Sequence, residues 1–156
     1  MRAEPRALSV SPFLRYGPAL LWMGVIFLLS TDLFSQSKTA GLILPFLASL
    51  FPAAGPETLA LLHGGLRKAG HLTEYALLAV LWYRARAYRE AAWVPEAARV
   101  ALLVAVAYAV SDELHQVLVV SRGASVVDVA IDAGGAAAGL MLLRRSEAAR
   151  AALAHR

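Results

Sequence analysis

Four long apolar runs constrain this chain more than any other feature, because each must find either a bilayer or a buried core. They extend from about Leu14 to Ser30, about Gly70 to Tyr83, about Ala98 to Val120 and about Ala124 to Leu143. A helical span takes roughly 20 residues, with a tolerance of a few, so the third and fourth fit directly and the second fits when it extends toward Tyr88. At 59% hydrophobic residues and a mean hydropathy of +0.59, the chain is too apolar for an ordinary soluble domain. The reading is all-α: one domain over residues 1–156, a polytopic four-helix transmembrane bundle with spans near 14–30, 70–88, 98–118 and 124–143. The stretch AGLILPFLASLFPAAGPETLALLHGG, broken by Gly41, Pro45, Pro52, Gly55 and Pro56, holds no uninterrupted span and is expected as an interfacial or re-entrant segment between the first two helices.

The arginines and lysines set the orientation. With both termini in the cytoplasm, the inner side carries Arg2, Arg6, Arg15, Arg84, Arg86, Arg89, Arg99, Arg144, Arg145, Arg150 and Arg156, and the outer side keeps Lys38, Arg67, Lys68 and Arg122. Eleven against four is a positive-inside bias in which every inner segment takes part, consistent with a multi-pass protein of the cytoplasmic membrane. The sequence FLLSTDLFSQS lacks a clean small-x-small cleavage site after the first apolar core, so the first helix is read as uncleaved. The net charge of +4 is scattered between apolar runs rather than gathered on one face, which argues against nucleic acid. Cysteine is absent, which removes disulfides, thiol nucleophiles and zinc thiolates.

This topology gathers polar residues at the outer ends of the helices. In KAGHLTEY, Lys68, His71 and Tyr75 stand at i, i+3 and i+7, with Glu74 beside them. In SDELHQ, Asp112, His115 and Gln116 share a face, and Glu113 lies about 100° round the turn. After SRGAS, a helix beginning near Ser125 aligns Asp128, Asp132, Gly135 and Gly139 on one stripe, with Asp132 about 12 Å down the axis. Gly135 and Gly139 form a GxxxG pattern that lets a neighbouring helix approach closely, here as packing within one chain or as a homodimer face. An ionised side chain at the centre of a membrane helix costs about 2.5–3.5 kcal/mol on the insertion scale, so these groups must face one another or a wet cavity. Glu74, Asp112, Glu113, Asp128 and Asp132 outnumber Lys68 and Arg122, and protonated carboxylates, protonated His71 and His115, a bound cation or a cationic group on a ligand must offset the surplus.

KAGHLTEY, SDELHQ and SRGASVVDVAIDAGGAAAG resemble, in order and spacing, the signature of VanZ-like membrane proteins, a family named for a teicoplanin-resistance accessory protein. The pattern falls on Ser30, Lys68, His71, Glu74, Tyr75, Asp112, Glu113, Gln116, Arg122, Ser125, Asp128, Gly135 and Gly139, and spans about Leu14 to Leu143. It departs at Asp132, where the family usually carries Asn. The resemblance implies a small four-helix bacterial membrane protein with an extracytoplasmic polar site and a cell-envelope or glycopeptide-related role. It supplies no reaction.

Several functional readings stay open on these residues. His71, Glu74, Asp112, Glu113 and Asp128 are the candidate catalytic groups, as acid–base residues or as ligands of a divalent metal, whose identity the sequence leaves unknown. Ser30, Lys68, Tyr75, His115, Gln116, Arg122, Ser125 and Asp132 are the candidate substrate-binding groups, with Arg122 and Lys68 placed to clamp a phosphate or carboxylate near a helix N-terminus. If an enzyme, the chain is a hydrolase or transferase acting on a lipid-linked or glycopeptide-related envelope substrate. The alternatives are a non-catalytic binding, transport or proton-relay protein and a structural accessory whose polar cluster organises the bundle. Membrane lipid is an expected partner in each case; the oligomeric state is not encoded in any recognisable way.

Overall fold

The structure is a computed structural model and describes residues 11–31, 36–118 and 125–154. Five helices follow one another: α1 (Pro12–Leu29), α2 (Gln36–Leu50), α3 (Pro56–Arg86), α4 (Pro95–Leu118) and α5 (Val126–Ala154). Their boundaries have local causes. Proline opens α1, α3 and α4, where its fixed φ suits the first turn and its missing N–H costs nothing. Ser125 opens α5 by accepting the Asp128 N–H on its Oγ at 3.2 Å. Glu57 near the start of α3 and Arg84 and Arg86 at its end both complement the helix dipole.

The expectation of one interfacial or re-entrant stretch before a helix starting near residue 70 is corrected in detail. The apolar segment is divided into α2, a break around Pro52 and Gly55, and the first turns of α3, which begins at Pro56. Gly64, Gly65 and Gly70 do not break α3. Each weakens a helix by about 1 kcal/mol relative to alanine, which the neighbouring turns and the packing of a 31-residue helix absorb. α5 likewise runs past its expected end to Ala154.

α3 packs against each of the other four helices, so it is the axis of the bundle. Against α5 the approach is backbone to backbone. A Cβ added at Gly139 would lie 2.7 Å from the Ala76 carbonyl oxygen, and one at Gly135 would lie 2.8 Å from the Leu72 Cα. The GxxxG stripe thus packs within one chain. α4 uses the same device with alanine: Ala97, Ala101, Ala105 and Ala109, four residues apart, are all buried. The same stripe continues into Asp112, Glu113 and Gln116, which are buried as well. Large apolar side chains point the other way, among them Leu21, Leu42, Leu61, Leu103 and Leu142, each more than half exposed.

The interior is a core of small and large apolar residues into which six polar side chains of the described residues are buried, while many leucines face outward, an exterior unlike that of a soluble domain. α1 and α5 are long and apolar enough to cross a membrane by length and composition. α3 and α4, at 31 and 24 residues, also reach the roughly 20 residues a crossing needs and carry the polar motifs within them.

The two ends of the bundle differ in charge. At one end, Arg15 of α1 donates from Nε to the Ala85 carbonyl and from a terminal nitrogen to the Arg86 carbonyl at 2.8 Å, closing the C-terminus of α3. The Tyr83 hydroxyl accepts the Val94 N–H at 3.1 Å, its ring stacks on Trp93, and Arg144 lies over the Trp93 ring. The opposite end holds the acidic motifs.

Candidate functional site

The site is built where α1 ends, α2 begins, and α3, α4 and α5 bring their motif turns together. α1 is clamped to its neighbours by two bonds that bypass side-chain charge: Trp22 Nε1 donates to the Glu74 carbonyl at 2.9 Å, and the Tyr108 hydroxyl donates to the Met23 carbonyl at 2.6 Å. These place Ser30, the residue after the last turn of α1, against α4. Its hydroxyl donates to Asp112 Oδ2 at 2.7 Å, and Gln116 Nε2 donates to the same oxygen at 3.0 Å. Asp112 is therefore held from two helices. Its other oxygen and the Tyr75 hydroxyl are both buried and have no hydrogen-bond partner among the described residues.

α5 supplies the second carboxylate. Close packing at Gly135 and Gly139 lets Asp132, 1% exposed, meet His71 of α3, whose Nδ1 lies 3.2 Å from Asp132 Oδ1. A histidine engaged at Nδ1 by a carboxylate has Nε2 as its remaining proton-exchanging nitrogen, an arrangement that fixes ring orientation in acid–base pairs. Glu113 takes a third position. Its Oε2 accepts the Ser125 N–H at 2.7 Å, tying the end of α4 to the start of α5, and Asp128 in the first turn of α5 is within electrostatic range of it. Glu74 stands three residues after His71 on α3 and lines the same space, so carboxylates from α3, α4 and α5 gather at this end of the bundle as one polar unit.

A cavity of about 170 Å³ opens beside this unit, lined by Leu29, Ser30, Thr39, Arg67, Gly70, His71 and Glu74. Of the polar residues lining it, Thr39 and Arg67 were not among the sequence candidates. His63, outside the cavity lining and also not a sequence candidate, is buried on α3 with Nε2 3.4 Å from the Thr39 hydroxyl, which joins α2 to this side of α3. Arg67 stands four residues before His71 and seven before Glu74, a helical spacing that signals a shared face.

Of the sequence candidates, Ser30, His71, Glu74, Tyr75, Asp112, Glu113, Gln116 and Asp132 converge, with Ser125 and Asp128 at the edge. Lys68 does not join them. It is exposed and lines a separate groove with Glu57, Leu61, Gly64 and Gly65. His115 packs its ring 4.8 Å from that of Phe27, and its Nδ1 is buried with no hydrogen-bond partner among the described residues. Arg122 lies outside the described residues. Among the described residues no three His, Asp or Glu side chains converge as a metal-ligating set.

The fold and site together define a class: a helical bundle with an apolar exterior, a basic pole, and at the other pole a buried acidic network beside a small polar cavity. The family model for VanZ/LLP1 matches residues 16–147, and the chain belongs to that family. No curated protein and no solved structure matches the chain significantly.

Proposed function

We propose that this protein crosses the cytoplasmic membrane four times, through α1, α3, α4 and α5, with α2 at the outer interface and both termini inside. In this reading the polar cavity faces the extracytoplasmic side and takes the polar part of a lipid-linked envelope ligand, with His71 and Asp132 as its acid–base pair. The observation that carries the proposal is the cavity itself: hydroxyl, guanidinium, imidazole and carboxylate side chains line one small space, and the imidazole is braced from behind by a buried carboxylate. The concentration of arginines at the other end, with Arg67 the exception among the described residues, supports the orientation. At about 170 Å³, the cavity is smaller than the roughly 300–1,000 Å³ of a drug-sized ligand site. That favours a head group on a lipid over an entire glycopeptide.

Glu113 separates this reading from a purely structural one. Glutamine at 113 keeps an oxygen for the Ser125 N–H and removes the charge. Glu113→Gln is expected to unfold in detergent within a few degrees of the parent while binding or turnover of a short-chain lipid-linked substrate falls about tenfold or more. Equal activity in the folded variant, or loss of fold with loss of activity, favours a structural role for the acidic network.

A further inference from the structure

We infer that Arg67 on the wall of the cavity forms an anion subsite that holds a phosphate group of the ligand. This inference rests on the reading of the cavity as a ligand site and adds the chemistry of what enters it.

Arg67 is half-buried on the wall of the cavity, and among the described residues no carboxylate lies within salt-bridge distance of it. Glu74 is on the same wall but two helical turns further along α3, about 10 Å in axial rise, and the two do not pair. A half-buried guanidinium with no carboxylate in salt-bridge distance keeps its planar fork available, and that fork matches phosphate oxygens in a two-point contact. Ser30 and Thr39 line the same wall, but the Ser30 O–H is donated to Asp112 Oδ2 and the Thr39 hydroxyl lies 3.4 Å from His63 Nε2, so Arg67 is the donor on which the subsite rests. The volume equals roughly five or six waters at about 30 Å³ each, which suits a tetrahedral anion with its immediate substituents.

The neighbouring lysine provides the control. Lys68 is exposed on a different surface, with Glu57, Leu61, Gly64 and Gly65 around it. If general positive charge at this end attracts the anion, the two residues are equivalent. If the cavity holds it, they are not.

The test uses the full chain purified in a neutral detergent, with dihexanoyl phosphatidic acid and inorganic phosphate as separate probes and with Arg67→Ala, Arg67→Lys, Lys68→Ala and His71→Ala beside the parent. Thermal unfolding first establishes that each variant is folded. The short-chain phospholipid is expected to bind the parent and Lys68→Ala alike, at least tenfold more weakly to Arg67→Ala, and with intermediate affinity to Arg67→Lys. Phosphate binding with the same Arg67 dependence supports the subsite and identifies a free anion as sufficient. Failure of both probes to bind the folded parent overturns the inference, as does equal loss in Lys68→Ala and Arg67→Ala. Phospholipid binding that survives Arg67→Ala but is lost in His71→Ala overturns the anion subsite and leaves the ligand cavity standing.

Discussion

Gly139→Leu is expected to separate α3 from α5 and to lower the unfolding temperature sharply. The first atom of the new side chain already falls 2.7 Å from the Ala76 carbonyl oxygen and 2.9 Å from its Cα. Both belong to helical backbone and cannot rotate aside. Overpacking of a close interface costs about 1–3 kcal/mol, and the absence of a flexible neighbour puts this site at or above the upper end. Relief from removing a helical glycine returns only about 1 kcal/mol. Gly134 is the internal comparison: it precedes the stripe, is exposed, and a Cβ there meets nothing within 4 Å. Gly134→Leu is expected to leave stability unchanged or raise it by about 0.5–1 kcal/mol. Thermal unfolding of the two variants in the same detergent measures the difference. Similar unfolding temperatures contradict the backbone contact.

The second large effect is expected at His71 and Asp132, and it is a property of the pair. Alanine at either position removes a bond between a buried carboxylate and an imidazole that is mostly buried, with side-chain exposures of 1% and 18%. Each single change destabilises the bundle, and the double change costs less than their sum, with an interaction energy of about 1–3 kcal/mol. Asparagine at 132 retains a neutral acceptor for the His71 N–H. Charge-assisted bonds are roughly twice as strong as neutral ones, so Asp132→Asn is expected to keep about half of that interaction. A complete double-mutant cycle measured by unfolding in detergent checks both statements. Additive effects of the two alanines show that the side chains do not interact.

The same pair shows what the sequence made legible. Asp132 and Gly139 stand seven residues apart, so helical periodicity alone aligns the acid with the small residues that bring α3 close. The buried turn of Asp112, Glu113 and Gln116 is equally legible, because each continues the spacing of the alanines before it. The choice between Arg67 and Lys68 is not. At 100° per residue they lie at about −40° and +60° from His71, nearly symmetric about the motif histidine. What selects Arg67 is the docking of α2, seen in the approach of Thr39 to His63, which lies toward the Arg67 side of α3. That contact comes from a segment whose glycine and prolines resemble loop signals and hide a helix. His115 lies at the edge of the Asp112 face: it is half-buried three residues further along α4, and its ring packs against Phe27 of α1. Periodicity fixes which residues share a stripe, and the order of packing among helices decides which edge of the stripe faces the site.

The measurement that tests the central claim most directly uses the absence of native cysteine, which makes any introduced thiol unique. Thr39→Cys places one on the cavity wall, and Arg150→Cys places one on α5 toward its C-terminus, at the proposed inner side. In intact cells treated with a membrane-impermeant maleimide, Cys at 39 is expected to react, Cys at 150 to react only after permeabilisation, and the first reaction to slow in the presence of dihexanoyl phosphatidic acid. Labelling at 150 from outside, or labelling at 39 that is reached only after permeabilisation, contradicts the proposed orientation. A rate at 39 that the lipid does not change contradicts the cavity as its binding site.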